Sequence, residues 1–394
     1  MPCPMAVDLG RLRVAPARTS AATVSVVIPC LNEAENIEQC VTRAWAILEE
    51  HELPGEVIVV DNASDDGSAE LAASARARVV AEPRRGYGSA YLAGFAAATG
   101  DYIVMIDADL TYDFREIPRF VAELDGGAEL VMGNRLDDVQ PGAMSMLSRI
   151  GNPLLSGFLN LLYRTPVRDA HCGMRAFRRD ALPALDLHAT GMELASEMVI
   201  RATKAGLAIG ELPIALHPRG GESKLVPFRD GWRHLRLMLV YNPTFVFMVP
   251  GITMFVLGSV AMALVLAQVS VLGHALYLHT LLGGSLLTVA GLQIICFGLC
   301  ARAYGVFHLG ERDAWLQRMQ QRFRLEHGLL VGAGVTLTGL AVEAFIVGKW
   351  VTSGLGSLAE ERLAVVAATL VIVGLQVFFT SFLLSILGLR RHES

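Results

Sequence analysis

Two carboxylates one residue apart, Asp107 and Asp109, carry the sharpest chemical signal in the chain. They follow the apolar run Tyr102–Ile106, which is expected to be a strand. Side chains alternate along a strand, so both acids should project to one side and Ala108 to the other. Like charges held that close repel, and a divalent cation removes the repulsion. Mg2+ or Mn2+ takes one or two carboxylates and fills its other positions with phosphate oxygens and water. A solvated acidic turn is the alternative; the place at the end of an apolar strand favours the metal.

Other residues suit a ligand carrying phosphates and a nucleoside. Asp61 ends the run Glu56–Val60, where a carboxylate can accept hydrogen bonds from a nucleobase or ribose. The following Ser64-Asp65-Asp66-Gly67-Ser68 is turn chemistry leading into a helix, with Ser64 and Gly67 read as capping residues. Glu33 is either a helix-start acid favoured by the dipole or a ribose ligand. Arg84-Arg85-Gly86-Tyr87-Gly88 precedes a helix, and bare backbone with two cations at a helix N-terminus suits a diphosphate. For Arg84 alone a basic surface turn is the other reading. Arg135, Arg149 and Arg175 each sit beside Asn or Gly turns. Singly each reads as a salt-bridge or surface residue; as a set they are expected to converge on phosphates, which Arg grips bidentately.

Positioning these groups requires strands whose carboxyl ends meet. Val24–Ile28, Glu56–Val60, Val79–Val80, Tyr102–Ile106 and Glu129–Met132 read as strands. Helical patterns lie between them, the first with Asn32 as cap and Ile37, Val41, Ala44, Ile47 and Leu48 as its stripe. The alternation predicts an α/β, Rossmann-like domain with a mostly parallel sheet, whose ligands bind beyond the carboxyl ends of the strands. No Gly-x-Gly-x-x-Gly follows the first strand and no Gly-Lys-Ser/Thr phosphate loop is present, which argues against a dinucleotide cofactor or a P-loop.

The remainder is of another kind. The chain has 394 residues, 53% of them hydrophobic, and a mean hydropathy of +0.45. Tyr241–Ala301 contains no Asp, Glu, Lys or Arg, a run of about 60 residues and long enough for two crossings. Four transmembrane helices are expected, at about 244–267, 279–301, 328–348 and 363–387. Ahead of them Leu225, Phe228, Trp232, Leu235 and Leu239, with Arg229, Arg233 and Arg236 interleaved, suggest an amphipathic helix on a membrane surface. The expected order is thus a disordered tail over 1–22, a catalytic domain over 23–223, an interfacial helix over 224–242 and a membrane domain over 243–394. Arg302, Arg312, Arg318, Arg322 and Arg324 between the second and third spans, with Arg390 and Arg391 in the tail, place that side, the catalytic domain and both termini in the cytoplasm. Glu343 in the third span, near Lys349, reads as structural or snorkelling. Gly332/Gly334 and Gly283/Gly284 permit helix association and a homo-oligomer. A net charge of −5 argues against a nucleic-acid partner, and six cysteines without paired spacing fit a reducing compartment.

The run Val24-Ser25-Val26-Val27-Ile28-Pro29-Cys30-Leu31-Asn32-Glu33, the Asp61…Asp65-Asp66-Gly67-Ser68 turn and Asp107-Ala108-Asp109-Leu110 together resemble glycosyltransferase family 2. Gly133-Asn134-Arg135, Asp169…Cys172-Gly173-Met174-Arg175 and Gly221-Glu222-Ser223-Lys224 look like its dolichol-phosphate mannose synthase branch and the bacterial polyprenyl-phosphate glycosyltransferases. The match runs in order over about residues 23–240. The resemblance implies a GT-A fold and a metal-dependent, inverting transfer from a nucleotide-sugar to a polyprenyl-phosphate lipid, in a bacterial inner membrane. It implies that Pro29, Leu31, Glu33 and Asp61 hold the nucleoside and that Asp107 and Asp109 hold Mg2+ or Mn2+. Arg135, Arg149 and Arg175 would face the phosphates and acceptor, with Ser223 and Lys224 in the acceptor loop. The chain departs from the pattern at Thr111, where relatives often have Gln, and at Cys172-Gly173-Met174-Arg175, where they usually have Ser-Gly-Phe-Arg. It also has four spans where several bacterial relatives have two.

A lipid phosphate is anionic near neutral pH and needs no general base to attack a sugar's anomeric carbon. The protein's tasks are then alignment and neutralisation of the leaving diphosphate, by the metal with Arg84/Arg85 or Lys224. Two rival readings are a processive polysaccharide synthase, with Glu193 or Glu197 as its acid, and a non-catalytic membrane scaffold with a degenerate transferase domain.

Overall fold

The computed structural model describes residues 23–165, 167–220, 227–270, 274–308, 315, 318, 325–355 and 360–388. The expected 1–22 tail and the Ser223 and Lys224 site residues lie outside the described residues. The chain divides into two compact units, Met1–Met238 and Leu239–Ser394.

The first unit runs β1 (Val24–Cys30), α1 (Ile37–Glu50), β2 (Gly55–Asp61), α2 (Ser68–Ser74), β3 (Arg78–Ala81), α3 (Tyr87–Ala97), β4 (Tyr102–Met105), α4 (Ile117–Asp125), β5 (Leu130–Val139), α5 (Met146–Tyr163), β6 (Arg175–Arg178), α6 (Leu182–Leu185), α7 (Leu194–Ala205), β7 (Ile209–Leu216) and α8 (Pro227–Val240). The strands form one seven-stranded sheet in the order β3-β2-β1-β4-β6-β5-β7. It is mostly parallel; β6 alone runs antiparallel, between β4 and β5.

β1 is central, and every residue of it but Pro29 is buried. A proline inside a central strand would ordinarily break the ladder. The Val27 carbonyl accepts from the Ile106 amide, so Val27 and, two residues on, Pro29 point toward β4. β4 pairs only as far as Val27 opposite Met105, so the missing amide of Pro29 falls where that neighbour has already turned away. Helix α1 buries Ile37, Cys40, Val41, Ala44, Ile47 and Leu48 against the sheet, the three-to-four spacing of a one-sided helix. It starts later than expected: Asn32 does not cap it. Asn32 sits in the left-handed region with φ 52°, and its Oδ1 instead accepts from the Asp65 amide at 3.0 Å.

The second unit contains α9 (Val249–Leu266), α10 (Leu278–His308), α11 (Leu325–Thr352) and α12 (Glu361–Leu387). With the π-type turn that leads into α9, all four are long and apolar enough to cross a membrane. Helices α10 and α11 outrun the apolar windows, taking in Arg302 and Lys349 at their ends. Glycines set the pairing. A Cβ on Gly258 would lie 2.5 Å from the Gly284 carbonyl oxygen, and one on Gly332 2.6 Å from the Phe378 nitrogen, so α9–α10 and α11–α12 pack backbone to backbone. Gly283 and Gly334, by contrast, have open space beside them. Ser285–Thr369 at 2.7 Å and Gln376 Nε2 to Gln293 Oε1 at 2.8 Å tie α10 to α12. Lys349, near the end of α11, pairs with Glu360, just ahead of α12.

Candidate active site

β4 ends at Met105, so Asp107-Ala108-Asp109 lies in the turn beyond it, not on the strand. Turn geometry, with Leu110 at φ 61°, therefore brings the acids together in place of the expected alternation. Each carboxylate has one oxygen pinned by protein donors. Tyr87 and Tyr91, one turn apart on α3, both donate to Asp107 Oδ1 at 3.1 Å. The Thr111 amide and hydroxyl donate to Asp109 Oδ1 at 3.1 and 2.6 Å. Burial, and secondly the charge of Asp109, push the Asp107 carboxyl above its ordinary range. The second oxygens are the ones placed to meet a ligand. Asp107 Oδ2 lies beside Gly173, where an added Cβ would come within 2.3 Å of it; a side chain there would displace the carboxylate. Asp109 Oδ2 lies 3.3 Å from Arg219 Nη1.

This donor set fits a hard divalent cation: two carboxylates with hard oxygens, Asp109 buried and Asp107 half-buried, the latter raised by desolvation and then by its like-charged neighbour. Among the described residues no group of three or more His, Cys, Asp or Glu could hold a metal. That suits an ion whose remaining ligands are phosphate and water.

Pro29, Leu31, Glu33 and Asp61 lie together at the carboxyl ends of β1 and β2, where Cys30 is in register with Asp61. The loops are laced across: the Asn32 amide donates to Ser64 Oγ at 3.0 Å and the Glu33 amide to Ser68 Oγ at 2.9 Å. Ser64 thus serves the neighbouring loop rather than its own helix, while Gly67, at φ 84°, occupies the cap position of α2. Glu33 Oε1 is 3.6 Å from Arg219 Nη2, so Arg219 spans Glu33 and Asp109. Reading the sequence did not single out Arg219; its only signal was a cation in the Pro218–Lys224 turn.

The α3 N-terminus is less bare than expected. The Gly86 amide donates to Asn62 Oδ1 at 2.7 Å and the Ser89 amide to the Thr190 carbonyl at 3.1 Å. Added Cβ atoms on Gly86 and Gly88 would lie 2.3 Å from the Thr190 and 2.1 Å from the Ala189 carbonyl oxygens. These glycines admit a neighbouring loop, and Gly86 is corrected from a bare phosphate cradle. Arg84, mostly exposed, pairs with Glu82 at 3.1 Å. Arg85 donates to the Ala63 carbonyl at 3.1 Å.

The three arginines do not converge. Arg135 makes a two-pronged pair with Asp169 at 2.7 and 2.9 Å and donates to the Tyr112 hydroxyl at 3.2 Å. That hydroxyl also accepts from the Gly173 amide at 2.8 Å, which sets Arg135 beside the Asp107 turn. Burial alone would lift Asp169, but Arg135 holds it below the usual carboxylate range. Arg175 is wholly buried and donates to the carbonyls of Cys172, Ala195 and Ala170 at 2.9, 2.7 and 2.8 Å. It is a core strut, each of its three nitrogens bonded to a backbone carbonyl, which corrects its expected place at the phosphates. Arg149 is exposed, in the first turn of α5.

Helix α8 presents an inverted face. Asp230, His234 and Met238 point inward, while Phe228 is 82% and Trp232 59% exposed. His234 Nδ1 and Ser196 Oγ lie 2.8 Å apart, and Ser196 reaches His171 Nε2 at 3.4 Å. Helix α5 adds a second apolar surface that the sequence reading missed: Met146, Ile150, Leu154 and Leu161 are all exposed. Glu197, a candidate acid of the polymerase reading, is buried, and its Oε2 accepts from the His188 and Ala189 amides at 2.9 and 2.7 Å.

Comparison with known proteins agrees with this architecture. Residues 25–185 match the model of glycosyl transferase family 2. Residues 299–388 match the family 2 C-terminal transmembrane region. The chain is 44% identical over 371 residues to the low-salt glycan biosynthesis hexosyltransferase Agl6 of Haloferax volcanii, covering 93% of this chain and 90% of that protein. It is 36% identical over 179 residues to a dolichyl-phosphate hexose transferase of the same organism, covering 45% of this chain and 76% of the other. Among solved structures, glucosyl-3-phosphoglycerate synthase from Mycobacterium tuberculosis, in complex with Mn2+, UDP and glucosyl-3-phosphoglycerate, is similar with a TM-score of 0.46 and 24% identity over 56% of this chain and 80% of that one.

Proposed function

The chain belongs to glycosyltransferase family 2, and on that premise we propose that it transfers a hexose from a nucleotide-sugar to a polyprenyl monophosphate at the cytoplasmic face of its membrane, with inversion at the anomeric carbon. The observation that carries this is the Asp107/Asp109 turn, in which each carboxylate has one oxygen fixed by protein donors. Mg2+ or Mn2+ bound there would neutralise the departing diphosphate. The similarity to a dolichyl-phosphate hexose transferase supports the choice of acceptor.

In this mechanism an oxygen of the lipid phosphate attacks the anomeric carbon and the bond from that carbon to the diphosphate breaks. The nucleoside diphosphate leaves with the electron pair. No proton has to be removed from the acceptor, because its phosphate is already anionic. Pro29, Leu31, Glu33 and Asp61 hold the nucleoside at the ends of β1 and β2. Arg135 stays ordered by Asp169 and presents its charge beside Asp107. Arg149 is exposed and can meet the lipid phosphate, with Ser223 and Lys224 as further acceptor ligands. The exposed apolar faces of α5 and α8 support a first unit that lies against lipid.

The test is transfer by the purified protein in detergent, given undecaprenyl phosphate, Mn2+ and, separately, labelled GDP-mannose, UDP-glucose or UDP-N-acetylglucosamine. One donor should label the organic phase, and EDTA should abolish it. Free nucleotide with long polymer, or full transfer by Asp109→Asn, would sink the proposal.

A further inference from the structure

Glu197 is a buried acid that the transfer chemistry leaves without a task. It sits in the first turn of α7 and is 1% exposed. A buried carboxylate is costly unless its lone pairs are taken up. One oxygen, Oε2, accepts two consecutive amides, His188 at 2.9 Å and Ala189 at 2.7 Å. Charge-assisted bonds of this kind fix a backbone more firmly than neutral ones.

The segment so fixed touches one thing that matters. The Thr190 carbonyl accepts from the Ser89 amide at 3.1 Å. The Ala189 and Thr190 carbonyls stand where side chains on Gly88 and Gly86 would be, at 2.1 and 2.3 Å from an added Cβ. The 188–190 segment is therefore seated on the first turn of α3. That same turn begins with Tyr87, and Tyr91 follows one turn on; their hydroxyls fix Asp107 Oδ1. The path from Glu197 to Asp107 is continuous: carboxylate, two amides, two carbonyls, the α3 N-terminus, two phenols.

We propose that Glu197 is a positioning residue of the transferase, clamping the 188–190 segment on α3 and thereby holding Tyr87 and Tyr91 against Asp107. It touches neither substrate nor cation. The effect on metal rests on the reading of Asp107 as a metal ligand; the clamp itself does not. Outer-shell partners of metal ligands change metal affinity by about 10- to 100-fold when removed.

The experiment uses the full chain in detergent and compares wild type with Glu197→Gln, Glu197→Ala and Gly88→Ala. Gly88→Ala attacks the same joint from the other side, by a Cβ pushed into the Ala189 carbonyl. Three quantities are measured: hydrogen exchange over residues 86–95, Mn2+ affinity by electron paramagnetic resonance, and kcat and KM against pH. Glu197→Ala and Gly88→Ala should speed exchange in α3 and weaken Mn2+ binding by about tenfold or more. Glu197→Gln keeps an acceptor oxygen in place, and should stay within about threefold of wild type with an unchanged pH profile. Unchanged exchange in both Glu197→Ala and Gly88→Ala overturns the proposal. So does a loss of about 100-fold or more in kcat for Glu197→Gln with a lost limb of the pH profile, the mark of a general base. Wild-type protein that binds no Mn2+ overturns the metal reading instead, and the exchange data then judge the clamp alone.

Discussion

Arg219 Nη1 stands 3.3 Å from Asp109 Oδ2. A guanidinium thus occupies the side of the carboxylate that a divalent cation would need. Two cations cannot share that oxygen without repulsion, so Arg219 and the metal should compete. The Arg219 side chain is 25% exposed, so solvent screens the pair. Arg219→Gln should tighten donor-free Mn2+ binding by about fivefold, the size of a pair contributing about 1 kcal/mol. The free-Mn2+ resonance signal on titration reads this directly; affinity equal to wild type would show that Arg219 does not stand in for the ion.

Arg149 and Arg175 should part company on mutation. Arg175→Ala removes a wholly buried side chain and its bonds to the carbonyls of Cys172, Ala195 and Ala170, and should cost about 3 kcal/mol or more of stability. A fall in the melting temperature reads it. Arg149→Ala removes an exposed side chain and should leave the melting temperature within a degree or so, surface changes lying within about 0.5 kcal/mol. If Arg149 meets the lipid phosphate, the same variant raises KM for the acceptor and leaves KM for the donor alone. Equal melting temperatures for the two variants would contradict the assignment of Arg175 as a strut.

How far the sequence carries depends on distance along the chain. The apolar run before Asp107 and the β-branched run before Pro29 are local signals, and they locate the strand ends within a residue or two. β6 and β7 carry no such signal: β6 is four residues with an arginine at each end, and β7 contains Gly210 and Pro213. The contacts that organise the site are long-range. Nothing near Glu33 announces Arg219, and nothing near Tyr87 and Tyr91 announces Asp107; their four-residue spacing reads only as one face of a helix. Arg175 misled because a polar motif beside a glycine looks the same whether its donors meet a ligand or, as here, three carbonyls.

The His171–Ser196–His234 contact makes the fold acid-sensitive. Burial lowers the His234 imidazole to about 4 and holds His171 well below its ordinary value. A histidine depressed in the folded state is neutral there and charges more readily on unfolding. The stability is fully present above the unfolded value of about 6.5 and is lost as pH falls toward the folded one, at about 1.4 kcal/mol per pH unit for each such group. The melting temperature should therefore drop between about pH 6.5 and the His234 value of about 4. His234→Gln should flatten part of that drop. A wild-type melting temperature constant over this window would show that the pair does not sense acid.

The outward face of α8 should act only where there is a bilayer. Phe228 and Trp232 are 82% and 59% exposed, while Asp230 and His234 on the same helix are buried. A helix of a water-soluble protein would present the reverse. Both side chains are mostly exposed, so Phe228→Glu with Trp232→Glu should shift the melting temperature in detergent only slightly, surface changes lying within about 0.5 kcal/mol each. In a bilayer the same pair loses the burial of two aromatic rings, each contributing about 1.5–3 kcal/mol when fully buried. Transfer to a long-chain polyprenyl phosphate in proteoliposomes should then fall by tenfold or more, about 1.4 kcal/mol per decade. Transfer to a short, water-soluble isoprenyl phosphate in detergent should not change. A double variant that is as active as wild type in proteoliposomes would mean that α8 faces water and that its exposed aromatics serve another contact.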